Sequence, residues 1–306
     1  MKRIHYILSL VISLTVYILI LSRDGASQQS NFQIAPSPIA YPYFEEGRFD
    51  GTVDATFISM SMTNFSMAGG DLGGRGRAAL SDFFAIDGTL GMTFLGGNMK
   101  PGLVPISYYD PFWIAIPGDE ATLSFFSMRG SINLEIQPIH TPEFDIILFG
   151  GPQFMFSNYT ITSDYSLFNG VTYATGYEDK LTIISTMSGL QMGIQVDINL
   201  GSEIRLSPFF MMTTSSGSAT MTDDPQLEGY DPVSYDVDIP STTSTSLGMD
   251  IIFEDISIGT VLQQMKKTDE TSEDTRIIMI SISYHFSSGK NSTEDQPGTG
   301  TDEVKM

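Results

Sequence analysis

From Arg276 to Phe286 the chain reads RIIMISISYHF, and Ile278, Ile280, Ile282, Tyr284 and Phe286 recur at a strict period of two. Met279, Ser281, Ser283 and His285 fall between them. A β-strand turns alternate side chains to opposite faces, so this segment is a strand with one aliphatic face ending in two aromatics and one mainly small, polar face. In a soluble sandwich the core-facing side is usually the short one. An aliphatic face that ends in rings suits a bilayer, where an aromatic side chain sits well at the interface with its body in hydrocarbon and its tip wet.

The same alternation recurs along the chain. Between about Thr122 and Gln137, Phe126, Met128, Ile132, Leu134 and Ile136 alternate with Ser127, Arg129, Ser131, Asn133 and Glu135. From Leu190 to Leu200 the phase holds for eleven residues, matching the roughly 9–11 that a tilted membrane strand needs. Further strands are expected at about Thr52–Met62, around LGGRGRAAL (72–80), at Phe84–Phe94, Phe144–Thr160, Ile204 to about Met221, Leu247–Phe253 and Ile256 to about Lys267. In the first of these, Val53, Ala55 and Phe57 lie on one face and Ile58, Met60 and Met62 on the other, a change of phase that predicts a bulge near Phe57. Gly150-Gly151-Pro152 should interrupt the ladder locally. The intervening segments, around Met67–Asp71, Gly96–Glu120, Ser163–Lys180 and the acidic stretch from Thr222 to Pro240, read as loops, joined on the opposite side by short turns.

The ending is similar to the closing strand of bacterial outer-membrane β-barrels, whose assembly signal alternates hydrophobics and finishes on an aromatic; Ile282, Tyr284 and Phe286 match it. At the level of pattern, residues 50–286 resemble the small outer-membrane barrels of the OmpA/OmpW kind. The resemblance implies an all-β, transmembrane, antiparallel up-and-down barrel of about ten strands, eight or twelve also fitting the pattern. An even count puts both termini on the periplasmic side. It also implies a Gram-negative outer membrane as the location, membrane lipid as surroundings and the outer-membrane assembly machinery as a partner during insertion.

Residues 1–27 read as a cleaved signal peptide: Lys2 and Arg3, an apolar run from Tyr6 to Leu21, then small residues before Gln28. That run of 16 falls short of the roughly 20 needed for a spanning helix. Residues 28–48, with Pro36, Pro38, Pro42 and Gly47, read as a periplasmic lead-in packed in part in the barrel mouth, 49–286 as the barrel, and 287–306 as a disordered acidic tail. The formal net charge is −21, which argues against nucleic acid as a partner because binding it rests on Lys and Arg neutralising phosphates. There is no cysteine, so neither disulfides nor a lipidated N-terminal Cys are available.

With the aliphatic faces outward, Arg75, Arg77, Asp87, Arg129, Glu135, Asp197, Arg205 and Asp250 face inward. Opposite charges in a narrow barrel are expected to pair and fill it, since an unpaired charge there is costly to desolvate. The alternative is a water-filled, ion-conducting lumen. His285-Phe286-Ser287 has the His-x-Ser spacing of some lipid-hydrolysing barrels, but no acid partner is identifiable, and His140 is equally isolated in sequence. No catalytic residue, cofactor or metal site is assigned. The acids from Asp223 to Asp238 read as a solvated loop rather than a calcium site. The function expected is a non-enzymatic structural or small-solute role. The rivals are a narrow cation-favouring or hydrophobic-solute channel and, behind it, a lipid-active enzyme or a loop-based adhesin.

Overall fold

The computed structural model describes residues 44–61, 65–99, 102–105, 113–116, 121–168, 171–201, 204–224, 231–266 and 275–288. The expected signal peptide, the lead-in up to residue 43 and the tail beyond 288 lie outside them. In chain order the strands are β1 (Phe49–Ser61), β2 (Phe65–Ala79), β3 (Phe84–Met99), β4 (Gly102–Pro105), β5 (Trp113–Ile116), β6 (Thr122–His140), β7 (Phe144–Phe168), β8 (Val171–Asn199), β9 (Ile204–Asp224), β10 (Val233–Phe253), β11 (Ile256–Lys266) and β12 (Thr275–Ser288). β4 and β5 form a separate two-stranded sheet, and the other ten close into one antiparallel barrel. This is the ten-stranded up-and-down barrel that the alternation predicts. β1 and β12 close it in unbroken register from Phe49↔Ser288 to Met60↔Ile277, so no edge is left with unpaired backbone groups.

The period-two pattern sets the two faces of the wall. Outward lie Phe84, Ile86, Leu90, Met92 and Phe94 on β3, and Ile278, Ile280, Ile282, Tyr284 and Phe286 on β12, all exposed. Phe84 and Phe94 stand opposite Ile136 and Phe126 of β6, so an apolar band running from Phe84 to Phe94 is ringed on this side by Phe94 and Phe126, whose centroids are 5.1 Å apart. An apolar exterior of that height does not suit water and fits the hydrocarbon band of a membrane-spanning barrel.

Three expectations need correction. β1 has no bulge at Phe57: its register runs straight against both β12 and β2. Val53 and Phe57 face out at 57% and 56% exposure, while Ile58 and Met60 face in at 0% and 1%. What changes along β1 is the chemistry of the inner face, from Asp50, Thr52, Asp54 and Thr56 to Ile58 and Met60. Among the described residues the register shifts fall elsewhere, and two of the three span a proline that cannot donate to the ladder, Pro138 between Ile136 and Ile139 and Pro240 between Ile239 and Thr242.

The stretch Met67–Asp71, expected as a loop, is the middle of β2. A Cβ at Gly69 would lie 2.1 Å from the carbonyl oxygen of Phe94, so the glycine permits a close strand approach rather than marking a turn. Most of the other expected loops are strand as well. β7 and β8 run on to Phe168 and from Val171, and β10 begins at Val233, so two hairpins continue past the apolar band. At Gly151 and Pro152 the pairing with β6 lapses without a change of register, while that with β8 continues from Gly150 through Pro152.

Candidate functional site in the barrel interior

Because every barrel strand sends half its side chains inward, any site inside is built from rows of cross-strand neighbours. At the end of the barrel that holds Phe49 and Ser288, chain that precedes β1 packs against the interior wall. Phe44 is buried among Ala79, Ala85 and Ile147, its backbone N–H donates to Gln137 Oε1 at 3.0 Å, and its ring lies 4.9 Å beneath the Arg77 guanidinium.

Above it sits a layer of paired charges. Arg75 donates to Asp87 through Nε and to Glu135 Oε1 through Nη2 at 2.5 Å. Arg77 donates to Asp50 Oδ2 at 2.8 Å, and Arg48 donates to Asp50 Oδ1 at 2.7 Å. Farther along, Asp71 takes both terminal nitrogens of Arg129, a two-pronged contact that fixes orientation as well as charge. Amides extend the network, Asn133 donating to Asp87 Oδ1 at 2.6 Å and Gln191 to Asn133 Oδ1 at 2.8 Å.

Toward the far end the inner face becomes apolar. Val261, Met279, Ile58, Gly69, Leu95, Phe125 and Tyr159 are successive register partners across β11, β12, β1, β2, β3, β6 and β7. Of these, Val261, Met279, Ile58, Leu95 and Phe125 belong to one cluster with Met60, Met67, Leu123, Phe149, Phe209, Met211 and Ile277, and Tyr159 packs against it. Where the layers meet, Arg75 lies 5.8 Å over the Phe149 ring.

Each inward charge expected from sequence lies on the interior wall. Arg75, Arg77, Asp87, Glu135, Asp197 and Asp250 are buried, and Arg129 and Arg205 are half-buried. The structure brings Arg75, Arg77, Asp87 and Glu135 together, ties Arg129 to Asp71, and leaves Asp197 and Asp250 outside these pairs. Sequence reading missed Asp50 and Asp71, the first placed before a strand and the second in a loop, and Asp54, whose face was obscured by the supposed bulge. Among the described residues eight interior acids (Asp50, Asp54, Asp71, Asp87, Glu135, Asp145, Asp197, Asp250) face five arginines (Arg48, Arg75, Arg77, Arg129, Arg205).

No family model matches the chain, and no curated protein matches it. Solved structures do. The outer membrane protease OmpT from Escherichia coli matches with a TM-score of 0.51 at 9% identity, over 79% of this chain and 98% of that one. A major outer membrane protein from Thermus thermophilus matches at 0.42, with 12% identity over 78% and 99%. The outer membrane protein OprG from Pseudomonas aeruginosa matches at 0.37, with 13% identity over 79% and 97%. The chain has the outer-membrane β-barrel fold.

Within this barrel His285 lies on the inner wall, and both histidines have partners that their sequence neighbours did not indicate. His285 pairs with Ser257, not Ser287: Nε2 lies 2.7 Å from Ser257 Oγ, and Nδ1 lies 3.1 Å from Thr52 Oγ1. A serine on one ring nitrogen has the outline of a nucleophile and its base, but both residues are only 1% exposed and the second nitrogen meets a hydroxyl instead of a carboxylate. His140 lies 2.5 Å from Asp145, so it has an acid partner that the sequence did not reveal. The acids expected as a solvated loop are largely strand: Asp236 and Asp238 are exposed on β10, and Asp236 accepts from Thr220 at 2.8 Å.

Proposed function

We propose that this protein spans the outer membrane as a sealed, non-enzymatic barrel whose interior serves stability and shape rather than passage. The observation that carries this reading is the filling of the wall's inner face. On β1 every inward side chain from Asp50 to Met60 is buried, and on β12 every one from Ile277 to His285. A water-filled lumen would leave such side chains wetted. Two chemically different layers close this one, a network of charges that would be costly to separate and an apolar ring of the kind that excludes water and ions by dewetting. The burial of Ser257 and His285 argues in the same direction against catalysis, because a nucleophile must meet its substrate.

Purified protein reconstituted in a planar bilayer tests the reading. Wild type is expected to insert, as judged by a mobility difference between boiled and unboiled samples, and to give no conductance steps in potassium chloride. Steady steps from wild type would overturn it in favour of a narrow channel, and their cation preference would say which kind.

A further inference from the structure

The surplus of acids in the interior is not spread evenly. Asp54, Asp197 and Asp250 take part in none of the interior ion pairs found among the described residues. Asp250 lies within electrostatic reach of both Asp54 and Asp197. The guanidinium within its reach, Arg75, is already bound by Asp87 and Glu135.

Around Asp250 the wall is made of small residues. On β11 its register partner is Gly259, whose partner on β12 is Ser281. A Cβ on Gly259 would fall 2.0 Å from Asp250 Oδ1 and 2.6 Å from Ser281 Oγ, so both oxygens hang over the space that the missing side chain leaves. Asp250 and Ser281 are each 3% exposed, and neither of these oxygens has a hydrogen-bond partner. Ser283 Oγ, one step along the same face, is also buried without one, as is Asp197 Oδ1. Buried polar atoms are almost always satisfied, and a carboxyl taken from water stays ionised only with a compensating charge beside it. Every free group here is an oxygen, the donor set that hard cations prefer.

We propose that Asp250 Oδ1 and Ser281 Oγ, converging over Gly259 on the inner wall of β10–β12, hold a hard cation inside the barrel. The ion would offset part of the negative surplus and occupy the gap between three strands, making it a fixed component of the packed interior. The inference rests on the interior being closed as proposed above. Its test therefore reads stability and not conductance, so that a leaky barrel and a barrel without an ion are told apart.

The protein is unfolded in urea with a chelator and refolded into lipid vesicles at pH 8 in choline chloride, with calcium, magnesium or sodium chloride added in separate arms. The temperature at which the folded gel band is lost is then measured. A cation at about a hundredfold excess over its dissociation constant should raise that midpoint by about 5 °C or more, and the arm that responds identifies the ion as divalent or monovalent. Asp250→Asn, close in size but uncharged, should abolish the response. Gly259→Ala, which fills the cradle and leaves all the acids in place, should weaken it, so the result does not hang on one variant's folding. Asp238→Asn, on the exposed part of β10, should respond as wild type does. The proposal is overturned if no cation raises the wild-type midpoint, or if Asp250→Asn and Gly259→Ala respond as wild type does; in either case the carboxyl is neutral or satisfied by water.

Discussion

Arg75 is held by two acids from two strands, Asp87 on β3 and Glu135 on β6, and lies almost wholly out of water. In this setting the net value of the ion pairs is smaller than the cost of breaking them, because removing the cation strands two buried carboxylates. Arg75→Gln should therefore destabilise the barrel by about 3–5 kcal/mol, measured by urea titration in lipid vesicles. Replacing Arg75 and both acids together with apolar residues of similar volume should cost less than the single change, since nothing is then left unpaired. If the single substitution is as mild as an exposed one, the network is hydrated and the interior is less dry than its burial indicates.

At the scale of the strand, the seam between β1 and β12 is where the barrel must close last in sequence order. Phe286 lies across it: a Cβ on Gly51 would fall 2.2 Å from its ring, and the ring faces Phe49 at a centroid distance of 6.4 Å. An aromatic laid over a glycine on the neighbouring strand covers exposed backbone and pins register. Phe286→Ala and Gly51→Val should each lower the fraction of chain that reaches the heat-modifiable folded band after refolding, the first by uncovering the glycine and the second by displacing the ring. Truncation after Ser288 should leave that fraction nearly unchanged. Ile282, Tyr284 and Phe286 were legible as one face because alternation is a local signal, and the strand count followed from it. Strand length was not legible. β2 runs through Gly69, Gly70, Gly73 and Gly74, a composition that reads as loop unless the neighbouring strands that need close approach are already in view. The inward charges could be assigned to a face for the same local reason, but their partners could not, since Asp71 and Arg129 are 58 residues apart and meet only through closure of the sheet.

On the scale of the whole barrel, the interior is two seals in series, and this makes conductance a conjunction. The paired charges of β2, β3 and β6 close one level, and the ring that includes Phe125, Leu95, Ile58 and Met279 closes another nearer the far end. Opening either level alone leaves a cavity bounded by the other. Phe125→Ala would create an apolar void that stays dry above an intact charge network. Arg75→Gln would loosen the network beneath an intact apolar ring. Each single variant should thus remain silent in a planar bilayer, while the double variant gives a small conductance. All three need the boiled-versus-unboiled mobility difference as proof of folding, with Met279→Ala in place of Phe125→Ala should that one fail. Conductance from one single variant would mean that the level it opens is the sole barrier. Silence from a folded double variant would place a further barrier at Phe44, whose ring is stacked on Arg77 toward the opposite mouth, and Phe44→Ala added to the pair should then release it.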